Sequence, residues 1–171
     1  MIFFISDFHF NHKRMLETRP RFSSLEEMNE YMISSFNSKV TSKDCTYFLG
    51  DFAWTDPEPF LNRLNGRFIF IKGNHDKRVP DNKKIIYSSN GYYDTCFGEQ
   101  KFTVCHFAMH SWNCSHWDSF LFYGHHHSKT DFGGKTLNCT VDALDFSPIS
   151  WDEAIEYMKN RPHNWDFIKQ N

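Results

Sequence analysis

The segment Phe68-Ile69-Phe70-Ile71-Lys72-Gly73-Asn74-His75-Asp76 governs how the rest of the chain is interpreted. Its first four residues are apolar and β-prone, which is typical of a buried strand. A glycine follows almost at once, and then an amide, an imidazole and a carboxylate. In α/β sheets, ligands bind where the strands emerge at their carboxyl ends. The segment therefore predicts a buried strand that delivers metal-binding side chains to the rim of a sheet.

Four further apolar runs end in side chains of the same kind. They are residues 2–5 before Asp7 and His9, 46–49 before Asp51, 102–105 before His106, and 120–123 before His125 and His127. Side chains two residues apart in an extended segment point to the same side, so D-x-H and H-x-H each present two donors together. Each short motif is weak alone. Their common position after predicted strands indicates one cation site.

Size and composition predict a single domain over residues 1–171, long enough to bury its own core. Strand and helix signals alternate in the first half, and strand signals follow in succession from residue 85 to 141. This order predicts an α/β fold with two facing mixed β-sheets flanked by helices. Helices are expected from the Ser24 cap through Phe36, from Asp56 to Gly66, and from the Ser150 cap to about Asn160.

Charge and cysteine usage restrict the partners and the compartment. The formal net charge of −2 offers no basic surface, so no stable nucleic-acid complex is expected, although bound cations would still attract a phosphate substrate. No apolar run approaches the roughly 20 residues of a membrane span, and Asp7 interrupts any signal-peptide pattern. Five scattered cysteines without a C-x-x-C pair favour a reducing cytoplasm. The oligomeric state stays open.

The predicted donors define the kind of cofactor. Aspartate, histidine and asparagine without thiolate suit divalent manganese, iron, zinc, nickel or magnesium, and we favour manganese. There are more donors than one ion needs. Two ions about 3.5–4 Å apart, bridged by a carboxylate and a hydroxide, would use them all.

The ordered set D-x-H, G-D, G-N-H-D, H and G-H-x-H, from Asp7 to His127, resembles the calcineurin-like metallophosphoesterase superfamily. The strings Ser6-Asp7-Phe8-His9-Phe10-Asn11-His12, Leu49-Gly50-Asp51-Phe52 and Tyr123-Gly124-His125-His126-His127 are similar to its small bacterial and phage branch. The resemblance implies a four-layer αββα sandwich and a metal-dependent phosphoric ester hydrolase.

The resemblance also implies a role for each donor. The first ion would be held by Asp7, His9, Asp51 and His127, and the second by Asn74, His106, His125 and the bridging Asp51. His75 would be the proton donor to the leaving oxygen, with Asp76 holding its ring, as carboxylates commonly orient imidazoles. From the residues alone, His75 is either a metal ligand or an acid, and we favour the acid.

The substrate is expected to be a small or nucleotide-like phosphodiester, attacked by a metal-bridging hydroxide. Many relatives place an arginine after the Gly-Asp motif to grip phosphate, whereas Phe52-Ala53-Trp54 follows here. Arginine forks suit the two charges of a monoester, so their absence favours a diester, unless Lys72, Lys77 or Arg78 substitutes. The alternatives are a phosphomonoesterase, such as a protein or dinucleotide phosphatase, and a non-catalytic scaffold with this fold.

Substrate contacts are the least specified part of the prediction. His110 stands where relatives often have arginine, and it is either a phosphate contact or a surface residue. His12 is a second candidate. Trp54 and Trp112 follow motif residues, where they either stack a base or pack into the aromatic core. Core packing is the preferred expectation for both.

Overall fold

The computed structural model describes residues 1–78, 85–88, 91–129 and 132–169. The described strands are β1 (Ile2–Ile5), β2 (Cys45–Phe48), β3 (Arg67–Ile71), β4 (Ile85–Ser88), β5 (Tyr92–Phe97), β6 (Gln100–Cys105), β7 (Phe120–Tyr123), β8 (Thr136–Asn138) and β9 (Ile149–Ser150). The helices are α1 (Met15–Thr18), α2 (Leu25–Lys39), α3 (Glu58–Leu61) and α4 (Trp151–Lys159), with a 3₁₀ turn at Ser115–Trp117.

The strands form two mixed sheets, which confirms the predicted α/β class. The first has the order β4-β3-β2-β1-β9, in which β1 to β4 are parallel and β9 is antiparallel. The second has the order β5-β6-β7-β8, in which β5 is antiparallel to the others. The carboxyl ends of parallel neighbours meet at one edge of a sheet, so the motifs after β1, β2 and β3 are brought together.

The two sheets share an aromatic core. The Phe4 ring of β1 stacks on Phe122 of β7 with centroids 4.0 Å apart, and it meets Phe102 of β6 edge-on at 5.8 Å. All three rings are buried. Stacked and edge-to-face pairs are the favoured arrangements of aromatic rings, so they hold the sheets against each other.

The helices of the described residues do not confirm the predicted layer on each outer face. Met28, Met32 and Phe36 of α2 pack on the first sheet, whereas Trp151 of α4 lies in the core between the sheets. The outer face of the second sheet is covered by Ala108, Met109 and Trp112 from the loop after β6. In the part of the chain that the structure describes, no α-helix residue belongs to this outer cluster. The large Trp151 ring is buried by Phe102, Phe120 and Phe122, which draws α4 inward.

The helix termini follow from local chemistry. Ser24 caps α2 and Ser150 forms a full capping box with Glu153, as predicted. The helix expected from Asp56 to Gly66 is correct in place but wrong in extent, because α3 covers only Glu58–Leu61. Pro57 and Pro59 stand in the first turn, where a helix tolerates proline. After Leu61 the N–H groups of Arg63 and Leu64 donate to carbonyls three residues back, so the chain continues in tight turns and not as an α-helix. Within the described ranges, no helix has the length and apolarity needed to cross a bilayer.

Candidate metal centre

The loops after β1 and β2 lie side by side in an unusual backbone conformation. Asp7, His9 and Asp51 have φ values of 60°, 50° and 59°. Residues other than glycine are uncommon in this left-handed region and cluster at functional sites. The N–H of Asp7 donates to the Gly50 carbonyl over 2.9 Å, and that of His9 donates to the Asp51 carbonyl over 3.0 Å. These bonds fix the two loops against each other.

Gly73, after β3, and Gly124, after β7, leave space for the carboxylates of Asp51 and Asp7. A Cβ on Gly73 would lie 2.2 Å from Oδ1 of Asp51, and one on Gly124 would lie 2.6 Å from Oδ2 of Asp7. No side chain fits in either place. The glycines of the G-N-H-D and G-H-x-H motifs therefore make room for the predicted metal donors.

The first donor group consists of Asp7, His9 and His127. Nε2 of His9 lies 3.2 Å from Nε2 of His127, and Oδ1 of Asp7 lies 3.6 and 3.5 Å from these two nitrogens. Two ligands of one tetrahedral ion, each about 2.1 Å from it, are about 3.4 Å apart. Oδ1 of Asp7 is buried and has no hydrogen-bond partner among the described residues, so an ion here would satisfy it.

The second donor group consists of Asp51, His106 and His125. Nε2 of His106 lies 3.5 Å from Oδ2 of Asp51 and 2.8 Å from Oδ1 of Asn74. The same Oδ2 of Asp51 lies 3.5 Å from Nε2 of His9 in the first group. One carboxylate oxygen thus stands between the two groups.

The imidazole tautomers also suit cations. Nδ1 of His106 lies 2.8 Å from the Leu49 carbonyl oxygen, and Nδ1 of His127 lies 2.7 Å from Oδ2 of Asp142. Both partners are acceptors, so each Nδ1 carries a proton, and in the neutral ring each Nε2 turns a lone pair toward its donor group. Lone pairs that face one another at these distances repel unless a cation lies between them. The residues present therefore fit a divalent ion in each group.

A buried ion pair that the sequence did not reveal supports the first group. The Arg19 side chain is 1% exposed, and its Nε and Nη2 donate to the two carboxylate oxygens of Asp142 over 2.8 Å each. Nη2 and Nη1 also donate to the carbonyls of Asp7 and Phe8 over 2.8 and 2.9 Å. Burial opposes ionisation of Asp142, but hydrogen bonds from His127 and Arg19 outweigh it and lower its pKa to about 2.

Asp76 does not hold the His75 ring as expected. Its carboxylate is buried and accepts three backbone N–H groups, from Asp51, Phe52 and Gly73, each over 2.8 Å. Among the described residues it has no hydrogen bond to the His75 ring. Burial raises the pKa of Asp76, although the three backbone bonds favour the charged form. Both of its oxygens are engaged, so Asp76 ties the loop after β2 to the loop after β3.

His75 itself lies beside the donor groups. Its backbone N–H donates to Oδ1 of Asp51 over 2.8 Å, which fixes its position relative to that carboxylate. Its side chain is exposed, with the ring 5.5 Å from the His9 ring and 5.6 Å from Trp54. The ring is thus open to a ligand approaching the metal donors.

The two predicted substrate histidines have different positions. His12 lies near the first group, with its ring 5.6 Å from that of His9. Burial lowers the pKa of His12, and the charges of His9 and His75 add to the effect. His110 instead contacts Trp165, with ring centroids 4.3 Å apart. It lines a cavity of about 250 Å³ whose walls include none of the predicted metal donors. The structure therefore brings His12 toward the centre and leaves His110 apart from it.

The two tryptophans also differ. Trp112 packs on the outer face of the second sheet and donates its indole N–H to the Ser119 carbonyl over 3.2 Å, as core packing predicts. Core packing was the wrong expectation for Trp54, which is 45% exposed. Trp54 stacks on the His12 ring, whose centroid is 4.0 Å away. The neighbouring core positions are filled by phenylalanines such as Phe52, which leaves the indole at the rim.

Comparison with known proteins identifies the class. Residues 1–170 match the family model of the calcineurin-like phosphoesterases. The chain belongs to this family, which acts on phosphoric esters and uses divalent metal ions.

Individual relatives cover the chain to different extents. An uncharacterised protein of Methanocaldococcus jannaschii is 33% identical over 172 residues, spanning 92% of this chain and 91% of its own. The Gene 66 protein of Mycobacterium phage L5 is 31% identical over 86 residues, which cover 47% of this chain and 42% of its own. The crystal structure of a protein of unknown function from Aquifex aeolicus superposes with a TM-score of 0.70 at 25% identity, covering 92% of this chain and 98% of that one.

Proposed function

We propose that the protein is a dinuclear metal-dependent phosphodiesterase that acts on a small or nucleotide-like substrate, with all of its machinery in one domain over residues 1–171. The observation that carries the proposal is the position of Oδ2 of Asp51, 3.5 Å from Nε2 of His9 and 3.5 Å from Nε2 of His106. A carboxylate oxygen that faces two donor groups is suited to bridge two ions.

Each donor has a place in this proposal. One ion would be held by Asp7, His9, His127 and Asp51, and the other by Asn74, His106, His125 and Asp51. When bound, divalent ions supply Lewis acidity, lower the pKa of water and neutralise phosphate charge. Manganese is the ion that we favour, and iron, zinc, nickel and magnesium accept the same oxygen and nitrogen donors.

His75 is the proton donor in the proposed reaction. Its side chain is exposed beside the donor groups, and its backbone is tied to Asp51. From this position the imidazolium gives its proton to the departing oxygen of the ester. Such general acid catalysis typically contributes a factor of about 10²–10⁴ to the rate.

The surroundings of the site favour a diester over a monoester. Phe52, which follows Asp51, is buried. The guanidinium of the nearby Arg19 donates to both carboxylate oxygens of Asp142. Neither Phe52 nor Arg19 therefore offers the free arginine fork that best matches the two charges of a monoester. Five free thiols support the further proposal that the enzyme works in a reducing cytoplasm.

The proposal is tested by comparing substrates on manganese-loaded protein. We expect faster turnover, as kcat/KM, of bis-4-nitrophenyl phosphate than of 4-nitrophenyl phosphate. A strong monoester preference would establish the phosphomonoesterase alternative. No turnover of either ester by fully metal-loaded protein would favour a scaffold.

The acid role is tested with His75→Ala and two leaving groups. The variant is expected to keep its metal and to lose about 10²–10⁴ in kcat for a phenyl ester, but much less for a 4-nitrophenyl ester, which needs little protonation. His116→Ala, on the 3₁₀ turn, is the control and should change neither rate. If His75→Ala strips metal from the protein, His75 is a ligand and the acid role is rejected.

A further inference from the structure

An exposed indole is held at the rim of the candidate metal centre. Trp54 lies three residues after Asp51 and is 45% exposed. Its backbone N–H donates to the Phe10 carbonyl over 2.9 Å, and the next side chain, Thr55, accepts a bond from Asn11 over 3.2 Å. The segment that carries the indole is therefore joined to the same loop that carries Asp7 and His9.

The orientation of the indole is set by a second ring. The imidazole of His12 stacks on Trp54 with a centroid distance of 4.0 Å and an interplanar angle of 20°. The His75 ring is 5.6 Å from the indole and 5.5 Å from the His9 ring. A planar group resting on Trp54 would thus lie beside the proposed proton donor, one side chain away from the metal donors.

We propose that the pair Trp54–His12 is a stacking platform for the base of a nucleotide phosphodiester. The inference rests on the proposed function of the site and names its substrate class. Stacking on an aromatic side chain accepts any base, because every base has a π-face. The platform therefore selects for a nucleoside group without selecting which base it carries.

The existing contact of Trp54 with Lys77 does not prevent this role. The Lys77 ammonium lies over the indole, 5.6 Å from its centroid, and the side chain is exposed. A cation–π contact at an exposed site changes an equilibrium constant by a factor of about 2–5, whereas a stacked base contributes a factor of about 5–150. A base that displaces Lys77 gains more than it loses, and the freed ammonium attracts the phosphate.

The chain contains a matched control for the platform. Trp117 is 53% exposed, its ring is 4.4 Å from the ring of His116, and the Lys101 ammonium lies 5.9 Å from its centroid. It has the same kinds of neighbours as Trp54 but lies on the 3₁₀ turn between β6 and β7. Effects of exposed tryptophan in general should appear at both positions. Effects of the platform should appear only at Trp54.

The experiment uses two diesters that release the same group. Thymidine 5′-(4-nitrophenyl phosphate) and methyl 4-nitrophenyl phosphate both yield 4-nitrophenolate, and only the first carries a base. With manganese-loaded protein, Trp54→Ala should raise KM for the thymidine ester about 5–100-fold and leave kcat and the methyl ester unchanged. Trp54→Phe should keep most of the affinity, and Trp117→Ala should match the wild type. An equal change for both esters, or none, would overturn the platform while the proposed function stands.

If neither ester is turned over, the proposed function is rejected. The stacking platform can still be tested by measuring binding. Calorimetry would compare thymidine 5′-monophosphate with 2-deoxyribose 5-phosphate on metal-loaded protein. We expect the nucleotide to bind at least about fivefold more tightly, and Trp54→Ala to remove this difference. Equal affinities of the two phosphates for the wild type would overturn the proposal.

Discussion

Nδ1 of His127 lies 2.7 Å from Oδ2 of Asp142, a carboxylate that is itself held by the buried Arg19. The contact fixes the tautomer of His127 and turns its Nε2 toward Asp7 and His9. Arg19 also donates to the Asp7 and Phe8 carbonyls, in the loop after β1 that carries Asp7 and His9. The proposed first metal position thus depends on residues that would not touch the metal.

Asp142→Asn should weaken binding of the first metal ion about 10–100-fold, because an amide orients His127 less firmly and makes it a poorer ligand. Competition with a chelating dye measures the affinity. Asp145→Asn makes the same change three residues away, on a side chain that is 86% exposed, and should leave the affinity unchanged. Equal losses in the two variants would show that Asp142 has no specific part in the site.

Arg19→Gln should lower the free energy of unfolding by about 3–5 kcal/mol, because it removes the buried guanidinium that pairs with the Asp142 carboxylate and donates to the Asp7 and Phe8 carbonyls. The measurement is urea denaturation of the metal-free protein. The control is Arg21→Gln, because Arg21 is exposed and pairs with Asp145 over 3.3 Å, so that its loss should cost less than about 1 kcal/mol. Similar costs at both positions would contradict the structural role of Arg19.

The same carboxylate should make stability depend on acid pH. The pKa of Asp142 is about 2 in the folded protein and 3.8 without the fold's contacts, so its stabilisation is present above about pH 4 and is lost as the pH falls to 2. The shift corresponds to about 2 kcal/mol. We expect the difference in unfolding free energy between the metal-free wild type and Asp142→Asn to shrink by that amount from pH 5 to pH 2. A difference independent of pH would contradict the assigned ion pair.

Gly73→Ala should displace Asp51, since the new Cβ would lie 2.2 Å from Oδ1 of that residue. The variant is expected to lose bound metal and nearly all turnover, both measurable on purified protein. Gly98→Ala is the control. It introduces a strained backbone at φ of 60° with no atom within 4 Å, so it should reduce stability by about 1 kcal/mol and keep the metal. Full metal content in Gly73→Ala would show that the two loops do not need this close approach.

The positions of the strands and the clustering of the metal donors at the sheet rim could be predicted from the sequence, because both depend on local signals. Continuous apolar runs bury both faces of a strand, so residues 68–71 were recognised within β3 and residues 102–105 within β6. Polar side chains directly after such runs must lie at the sheet rim. The four-layer order was not accessible in this way, since the burial of Trp151 between the sheets depends on rings from distant strands.

The supporting residues could not be found from local patterns. Nothing in the sequence separates the buried Arg19 from the exposed Arg21 two residues later, and its partner Asp142 is 123 residues away. Adjacency in the sequence predicts that Asp76 pairs with the His75 imidazole, but its oxygens accept N–H groups from the loops after β2 and β3. Such contacts are decided by the tertiary fold, not by spacing along the chain. The exposure of Trp54 could not be predicted for a related reason, since the spacing of apolar residues does not show which one of many aromatic side chains is exposed.

Anomalous diffraction from crystals grown with manganese tests the central claim most directly. Two peaks are expected, one among Asp7, His9 and His127 and one among His106, His125 and Asn74, with Asp51 reaching both. In Asp51→Asn crystals at least one of the two peaks should be lost. Wild-type crystals in which these side chains surround no anomalous peak, in protein whose elemental analysis also shows no bound divalent metal, would contradict the account.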